Sequence, residues 1–331
     1  MSLRKFFTFF LSILISFTSV SCSNFNEEKI KIALVLSGPV KDSYKNEAAY
    51  NGLKRFQSDY KTEIAVVERV NQDDAKDIFS GLAERKYDLV IANDYDFGPV
   101  LKNIVKMFPD TSFSVIEGHL KEEPNLSSFN FKSEQIGYLT GVVAGLNTAT
   151  NKTGIVVGKK SPSTKKTILG FRKGLRDVNP KADLTVSYID SNSDITKGRE
   201  AAASQINTGV DVIAHLAEQS GVGVIKACEE ADISAIGSVV DQHDLAPSTV
   251  ITSYIEDVSQ LIYLACEYFA EKKLQPRIYT FGLKDQIIDL ASSYGNIDPT
   301  VETKMNRIKS QLLDIEIAEQ EQLKNKSKKS E

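Results

Sequence analysis

The fold of this chain is decided by residues 30–67, which read IKIALVLSGPVKDSYKNEAAYNGLKRFQSDYKTEIAVV. Residues 30–36 are a mostly apolar run with the length and composition of a buried strand. Residues 46–60 carry their apolar side chains at helical spacing, and residues 63–67 have the composition of a second strand. Because a strand, a helix and a strand follow one another, this stretch predicts parallel strands that are covered by helices.

The same alternation continues almost to the end of the chain. Further strands are predicted at residues 88–92, 112–116, 127–131, 154–157, 184–189, 211–214, 233–236 and 249–253. Helices are predicted between them, at residues 74–84, 99–107, 134–146, 163–178, 197–207, 221–231 and 258–269. A single sheet of about ten strands would be long for a twisted open sheet. The sequence therefore predicts an α/β protein with two doubly wound parallel-sheet lobes.

The lobes are predicted to meet near residues 131–132. The predicted organisation is a first lobe of residues 30–131 with about 250–275, a second lobe of residues 132–249 with about 276–300, a C-terminal helix of residues 301–323 and a flexible charged tail of residues 324–331. The chain is expected to recross at residues 249–253, because the helix after this strand needs a surface that is not already covered. The C-terminal helix is amphipathic, and its predicted buried side carries Met305, Ile308, Leu312 and Ile315.

The N-terminus has the pattern of a bacterial export signal. A positively charged start precedes a mostly apolar run at residues 6–17, and small residues lead from there to Cys22. This run is shorter than the roughly 20 residues that span a bilayer, so no permanent transmembrane helix is predicted. Residues 1–21 are predicted to be a lipoprotein signal peptide, and residues 22–29 a linker that is acylated, for example with palmitate, on Cys22. The alternative is cleavage nearby, which leaves Cys22 as a free thiol.

The charge balance argues against nucleic acid as a partner. The 331 residues include 40 basic and 44 acidic side chains, and the formal net charge is −4. Removal of residues 1–21 takes away Arg4 and Lys5 and no acidic residue, so the mature chain carries −6. A protein that binds a phosphate backbone needs a basic surplus. No nucleic-acid partner is therefore predicted.

The sequence carries no motif that nominates an enzyme, a metal site or a nucleotide cofactor. His119, His215 and His243 lie in separate segments without the spacing of paired metal ligands, and His215 is expected to be a hydrogen-bonded residue at a strand end. Cys228 and Cys266 fall inside predicted helices, where small buried side chains are expected. No serine stands in a GxSxG turn, and the glycine-rich phosphate motifs are incomplete. The prediction is a binding protein without catalytic residues, metal or cofactor.

A binding site is expected in the loops that follow the strands, because ligands of open α/β sheets bind at the carboxyl ends of strands. The first such loops span residues 37–46 and 93–97 and combine carboxylates, amides and aromatic rings. Such a combination suits a planar polar ligand. The corresponding loops of the second lobe span residues 158–161, 215–221 and 237–244. The predicted ligand-binding residues are Asp42, Tyr44, Asn46, Asp94, Tyr95, Phe97, Glu218, Gln219 and Asp241.

Short segments spread over almost all of the mature chain share their motifs and their order with a known family. Residues 129–141 read FNFKSEQIGYLTG, and residues 170–174 read GFRKG. Further matching segments follow at residues 178–180, 209–213, 221–225, 241–242, 245–247, 252–253 and 282–285. In these segments the chain resembles the basic membrane protein family, the purine nucleoside receptor-like lipoproteins of bacterial ABC importers.

The resemblance implies a type I periplasmic-binding-protein-like fold, with the two lobes joined by a multi-crossing hinge. The hinge is expected near Phe131, at residues 249–253 and before Gly282. The implied function is capture of a small polar ligand, with a purine nucleoside as the first candidate, and delivery to an ABC permease. The implied location is the bacterial cell envelope, where Cys22 would anchor the protein in a lipid bilayer at the periplasmic face or the cell surface.

The nucleoside hypothesis assigns roles to the predicted site residues. Tyr44 and Phe97 would stack on the base, Asp42, Asn46 and Asp94 would read its edge, and Glu218, Gln219 and Asp241 would contact the sugar. The chain departs from the family at Val239, which replaces an Asp that binds ribose hydroxyls, and at Glu256, which replaces a common Lys. Each lost charge-assisted hydrogen bond costs about 1.5–3 kcal/mol. The alternative function is therefore a surface lipoprotein with a drifted cleft, acting in adhesion or in binding of host or envelope macromolecules.

Overall fold

The computed structural model describes residues 29–42 and 44–327, which form two α/β lobes, each around a six-stranded sheet. The predicted signal peptide, Cys22, Ser43 and residues 328–331 lie outside the described ranges. Among the helices that the structure describes, none has the length and apolar character needed to cross a bilayer.

The described strands and helices alternate along the chain as the sequence predicts. The strands are β1 (Lys31–Val35), β2 (Glu63–Val67), β3 (Leu89–Ala92), β4 (Ser112–Ile116), β5 (Leu126–Phe131), β6 (Lys152–Val157), β7 (Asp183–Tyr188), β8 (Val212–Leu216), β9 (Ser234–Gly237), β10 (Val250–Glu256), β11 (Ile278–Phe281) and β12 (Ile288–Leu290). The helices are α1 (Tyr44–Tyr60), α2 (Gln72–Glu84), α3 (Gly98–Ile104), α4 (Ser133–Asn147), α5 (Pro162–Val178), α6 (Ile195–Ile206), α7 (Gly221–Glu230), α8 (Val258–Ala270) and α9 (Pro299–Ser327).

Two of these strands, β11 and β12, have no counterpart among the predicted elements. They are four and three residues long and contain Thr280 and Asp289, so neither shows the continuous apolar run that predicts the equally short β3. The central strands are different, because β3 and β5 are buried along their whole length. The continuous apolar run of β3 reflects burial on both faces of a parallel sheet, whereas β5 also buries polar side chains, Ser127, Ser128 and Asn130.

Both sheets have the same strand order. The first sheet runs β2-β1-β3-β4-β5-β11 with every neighbouring pair parallel. The second runs β7-β6-β8-β9-β10-β12, and its edge strand β12 is antiparallel to β10. In each sheet the strand order reverses beside the first strand, between β1 and β3 or between β6 and β8. Doubly wound sheets bind ligands at this reversal, outside the carboxyl ends of the strands.

The chain passes between the lobes at three places within the described residues. The first crossing is Lys132, between β5 and α4, where the sequence predicts it. The second is Asp257, after β10, because β10 pairs with β9 in the second sheet. The prediction that placed this strand in the first lobe is therefore wrong, and only the helix that follows it, α8, packs on α1 of the first lobe. The third crossing follows β11, which pairs with β5, so residues 278–281 belong to the first lobe and not to the second.

The crossings are hydrogen-bonded to one another. The backbone N–H of Lys132 donates to the carbonyl of Phe281 at 2.8 Å, and the N–H of Asp257 donates to the carbonyl of Ile287 at 2.7 Å. Each crossing thus fixes the position of its neighbour. Apolar side chains of both lobes also continue through this region as one buried cluster, which includes Phe131, Ile136, Val239, Tyr254 and Leu283.

Helix α9 runs along both lobes. Met305 and Ile308 pack on the core of the second lobe, and Leu312 packs on the core that includes the first lobe. The prediction for Ile315 is wrong, because this side chain is 56% exposed, while the next residue, Glu316, is only 2% exposed. Glu316 follows Leu312 by one turn and Met305 by about three turns, so the same side of the helix faces both lobes, and Ile315 lies beside that side.

The predicted flexible tail is only partly described. Helix α9 continues through Ser327, so the first residues of the predicted tail at 324–331 are helical. Residues 328–331 lie outside the described residues.

Candidate functional site

Two adjoining cavities, together called the cleft below, lie between the lobes where the reversal points of the two sheets face each other. The first encloses about 130 Å³ and is lined by the loops after β3, β4, β6 and β8 and by the start of α1. The second encloses about 140 Å³ and shares five lining residues with the first: Lys45, Asn192, Glu218, Ser238 and Val239. Loops that the carboxyl-end rule selects in each lobe therefore meet across this cleft.

The local sequence explains how these loops are held. Asp94 follows β3, and its carboxylate accepts hydrogen bonds from the N–H of Asp96 at 3.0 Å and the hydroxyl of Ser37 at 2.9 Å. Ser161 follows β6 and caps α5, because its hydroxyl accepts from the N–H of Thr164 at 3.1 Å, and Pro162 then starts the helix. Local capping bonds thus fix the two loops on either side of the cleft, and the bond from Ser37 also joins the loop after β3 to the loop after β1.

The lining of the first cavity is acidic. Five carboxylates and two lysines contribute to it, namely Asp94, Asp96, Glu117, Glu218 and Glu256 together with Lys45 and Lys159. Serine, threonine, asparagine and tyrosine side chains supply most of the remaining polar groups. Charges inside a narrow cleft with low-dielectric walls act more strongly than charges on an open surface. The cleft therefore has a negative potential.

Lys45 lies among three of these carboxylates. Its Nζ is 2.8 Å from Oε2 of Glu117. Burial would lower the pKa of Lys45, but Glu117, Glu256 and Glu218 raise this pKa well above its usual value. Burial would likewise raise the pKa of Glu117, but Lys45, with hydrogen bonding from Ser163, holds it below the usual range. The pair is therefore ionised throughout the neutral pH range.

Glu256 and Glu218 interact with the same lysine from the second lobe. Burial raises the pKa of Glu256 to about 8, because the charges of Glu117 and Glu218 add to the effect of burial and oppose that of Lys45. Burial also raises the pKa of Glu218, which accepts a 3.2 Å hydrogen bond from Nδ2 of Asn192. These two carboxyl groups therefore keep their protons to a higher pH than exposed carboxyl groups do.

Two polar contacts join the lobes across the cleft. Nε2 of His119, in the loop after β4, is 2.9 Å from the hydroxyl of Ser163 on α5. The hydroxyl of Tyr95 donates to the carbonyl of Lys160 at 3.5 Å. Burial lowers the pKa of His119, and Lys166 lowers it further while Glu117 opposes them. A neutral His119 therefore makes the contact with Ser163 at neutral pH.

The wall of the cleft after β9 is built on a buried polar network. His215, at the end of β8, contacts Oε1 of Gln242 through Nε2 at 2.8 Å and the hydroxyl of Ser238 through Nδ1 at 3.2 Å. Oε1 of Gln242 also accepts the N–H of Ser238 at 2.8 Å. His215 is thus a hydrogen-bonded strand-end residue, as the sequence predicts, and it holds the loop that carries Val239 into the cleft.

Residues 29–327 match the Bmp family, which is described as ABC transporter substrate-binding protein PnrA-like. The chain belongs to this family. The match extends over all the described strands and helices, and it confirms the resemblance to the basic membrane proteins that the sequence motifs indicate.

Named relatives of this Bmp-family protein cover most of its length. Basic membrane protein A of Borreliella burgdorferi is 27% identical over 321 residues, which is 93% of each chain. A CD4+ T-cell-stimulating antigen of Listeria monocytogenes is 29% identical over 85% of each chain. Among solved structures, an ABC transporter solute-binding protein of Aeropyrum pernix superposes with a TM-score of 0.75 at 18% identity, over 87% of this chain and 92% of the other. This likeness confirms the predicted type I two-lobed fold.

The structure brings five of the predicted site residues of this Bmp-family protein to the cleft. Asp94, Tyr95 and Glu218 line the first cavity. Tyr44, Gln219 and Glu218 line the second. Burial, with the charges of Asp96 and Asp94, raises the pKa of Tyr95 to about 12, so its hydroxyl stays protonated as a donor.

The remaining predicted site residues lie elsewhere. Phe97 is fully buried in the core of the first lobe, 5.4 Å edge-to-face from Phe79, so it cannot stack on a ligand. Asp241 does not line either cavity, and its carboxylate accepts a hydrogen bond from the hydroxyl of Tyr294 at 2.6 Å. Asn46 is buried behind the cleft and links two of its loops through Pro39 and Asn93. The prediction of a ligand contact is therefore wrong for these three. The side chain of Asp42 lies outside the described part of the chain.

Several residues of the cleft were not predicted as ligand contacts. Lys45 and Glu117 are the main examples, together with Ser163, Asn192, Ser238 and Tyr254. Glu117 directly follows β4, so the same carboxyl-end rule could have found it. Asn192, in the loop after β7, could have been found by the same rule, whereas Ser163 lies on α5 and carried no comparable signal in the sequence. Within the described residues, no three His, Cys, Asp or Glu side chains are grouped so that they could hold a metal ion.

Proposed function

We propose that this Bmp-family protein captures a small polar solute in its interlobe cleft by hinge closure and delivers it to an ABC permease. A purine nucleoside is the first candidate for the solute. The observation that carries this proposal is the cleft itself, which both lobes enclose at the reversal points of their sheets. The proposed role is binding without catalysis.

The ring and hydrogen-bonding groups of the cleft support a planar polar ligand. Tyr44 is exposed in the second cavity, where its ring could stack on a base. Asp94 and Glu218 present acceptors for amino or hydroxyl groups. Closure would be favoured by contacts of the kind seen between His119 and Ser163, because they form only when the lobes approach each other.

Isothermal titration tests the nucleoside assignment. The form that begins at residue 23 retains all the described strands and helices. We expect a saturable heat with inosine, guanosine or adenosine at micromolar protein, and a smaller radius of gyration by X-ray scattering when the ligand is bound. Absence of heat with all three nucleosides would contradict the nucleoside assignment.

We further propose that the protein is a lipoprotein of the bacterial cell envelope, anchored through Cys22. The support is the export-signal pattern of the sequence, since Cys22 lies outside the described residues. Metabolic labelling with a palmitate analogue tests this proposal. Label in the wild type and none in the Cys22→Ser variant is the expected result.

The alternative, a surface lipoprotein that binds host or envelope macromolecules, makes the opposite prediction for small ligands. A solute that binds only the folded state must raise the melting temperature. A thermal shift with a metabolite panel would therefore favour solute capture, whereas no shift with any metabolite would favour the alternative.

A further inference from the structure

We propose that the cleft takes a solute with a positive charge, such as a protonated amine or a cationic ring nitrogen, held by Glu218 and Glu256. This inference rests on the proposed function, because it names the charge of the ligand that the same cleft would capture. Two observations carry it: the excess of carboxylates in an enclosed interlobe cavity, and one carboxylate of that cavity without a hydrogen-bond partner.

The excess of negative charge remains after the ion pairs of the cleft are counted. Lys45 makes a direct ion pair with Glu117 at 2.8 Å. Glu218 and Glu256 interact with the same lysine, and Glu256 is mostly protonated at pH 7. With Glu256 left out of the count, the four other carboxylates of the first cavity still face only two lysines, Lys45 and Lys159. A ligand that brings one positive charge would reduce this imbalance.

Glu256 is the carboxylate that a cationic ligand would stabilise most. Its side chain lines the first cavity, and it has no hydrogen-bond partner among residues 29–42 and 44–327. Its position is fixed, because its backbone N–H donates to the carbonyl of Val239 at 3.0 Å. Four elements present ionisable groups that interact with Glu256: Lys45 on α1, Glu117 after β4, Glu218 after β8 and Tyr254 on its own strand.

The electrostatics of Glu256 agree with this geometry. A buried carboxylate loses the hydration that stabilises its charge, and here burial raises the pKa of Glu256 to about 8. A cationic ligand would stabilise the ionised form and release the proton. A neutral ligand that offers only carbonyl acceptors would leave the charge uncompensated. An organic cation fits better than a metal ion, because Lys45 lies among the carboxylates and repels a dication.

Two isomeric nucleosides test the inference. 1-Methyladenosine is protonated and carries a positive charge at pH 7, whereas its isomer N6-methyladenosine has the methyl group on a different nitrogen and is neutral. We expect 1-methyladenosine to bind the form that begins at residue 23 at least about tenfold more tightly in isothermal titration, at low ionic strength. Its binding heat should also depend on the ionisation enthalpy of the buffer, because Glu256 releases protons. n-Butylamine, a monocation at pH 7, and 1-butanol, which is neutral, form a second pair that contains no nucleoside.

Matched variants connect the preference to the proposed carboxylates. Glu256→Gln should remove most of the tenfold preference and the buffer dependence, and Glu218→Gln should weaken the preference in the same direction. Glu84→Gln, at an exposed site on α2, is the control and should leave both unchanged. Circular dichroism and melting temperatures show whether each variant is folded, and either glutamine variant alone can decide the question.

The outcomes separate this inference from the proposed function. Tighter binding of either cationic member, lost in Glu256→Gln, supports the inference. If n-butylamine alone binds, the nucleoside assignment fails and the charge preference stands. Equal or tighter binding of the neutral members overturns the inference and leaves solute capture intact. If none of the four compounds and none of the common nucleosides binds, both the inference and the proposed function are contradicted.

Discussion

Val239 shows how one residue of the cleft combines backbone strain with burial. Its φ of 68° lies in the left-handed region, which β-branched residues rarely adopt. Its side chain is nevertheless buried in the apolar cluster that runs through the hinge. The bond from the N–H of Glu256 to its carbonyl, 3.0 Å long, fixes this conformation. Packing and the neighbouring strand therefore stabilise a backbone state that the residue type disfavours.

At Val239 the glycine variant should be more stable than the alanine variant, which is the reverse of the usual order of stability. Both Val239→Ala and Val239→Gly lose buried apolar surface, but only glycine adopts a positive φ without steric cost. We expect Val239→Gly to be about 1 kcal/mol more stable than Val239→Ala in urea unfolding. Val90, buried in β3, is the control, and its alanine variant should be the more stable one. The same order at both sites would argue against strain at Val239.

His215 should make the stability of the protein depend on pH. Its pKa is lowered to about 4 in the folded state because the ring is fully buried, whereas an unfolded histidine titrates near 6.5. The stabilisation is complete above the unfolded pKa and is lost as the pH falls toward the folded pKa. We expect a loss on the order of 3 kcal/mol from His215 between about pH 6.5 and pH 4.

Urea unfolding of the wild type and of His215→Asn at several pH values in this range measures that contribution. The variant should be less stable at pH 7, because Gln242 and Ser238 lose a partner. Its free energy of unfolding should fall less steeply as the pH is lowered. Equal slopes for the two proteins would contradict the assignment.

At the scale of elements, α4 directly follows the first crossing and packs closely on α5 of the second lobe. The two helices approach each other through glycines, and a Cβ on Gly137 would lie 1.9 Å from the carbonyl oxygen of Thr167. A Cβ on Gly170 would similarly lie 2.1 Å from the carbonyl oxygen of Glu134. Such distances are far below van der Waals contact. Only glycine at these positions permits the observed approach of the two helices.

Gly137→Ala should therefore destabilise the protein despite the higher helix propensity of alanine. We expect the free energy of unfolding to fall by about 2 kcal/mol, because backbone atoms of α5 must move. Gly81 on α2 is the matched control, since a Cβ there would meet no atom within 4 Å. Gly81→Ala should stabilise by about 0.5–1 kcal/mol. Urea unfolding of both variants distinguishes helix propensity from packing.

At the scale of the whole molecule, Glu316 connects α9 to the hinge. Its carboxylate lies 2.9 Å from Nζ of Lys132 at the first crossing. It also accepts hydrogen bonds from Nε2 of Gln135 at 3.0 Å and from the backbone N–H of Lys284, beside the third crossing, at 3.1 Å. Although burial would raise the pKa of Glu316, these partners lower it. One buried carboxylate thus joins the C-terminal helix to two of the three crossings.

Glu316→Ala should destabilise the molecule by about 3 kcal/mol, because it leaves Lys132 and two amide donors without their acceptor. Glu319→Ala is the control, since Glu319 is exposed one turn further along the same helix and its loss should change the free energy by less than about 0.5 kcal/mol. Urea unfolding at pH 7 measures both. Similar values for the two variants would contradict a hinge role for Glu316.

The fold was predictable from the sequence to the extent that it depends on periodic patterns. Continuous apolar runs and helical spacing predict most strands and helices within a few residues, and their alternation predicts two doubly wound lobes. The position of β10 was predicted in the wrong lobe, because its pairing with β9 is a long-range contact that no local pattern encodes. The strands β11 and β12 were missed because they are short and a polar residue, Thr280 or Asp289, interrupts the apolar run of each.

The site was predictable to the edge of each sheet and not to the side chain. The carboxyl-end rule selects the loops that carry Asp94 and Glu218, and both residues line the cleft. It cannot distinguish Tyr95, which faces the cleft, from Phe97, which packs in the core two residues later. Side-chain direction in a short turn depends on how that turn packs. The residue type alone does not tell which of two neighbouring aromatic side chains is buried.

By itself, the sequence determined the alternation of elements, the two lobes and the loops at which a ligand can bind, because apolar periodicity and turn chemistry are local properties. Only the tertiary structure decided which charges share the cleft. Lys45, Glu117, Glu218 and Glu256 come from four separate segments, and their approach follows from the opposition of the two sheets. Their interaction depends on distance in space and on burial, and neither can be read from the spacing of residues along the chain.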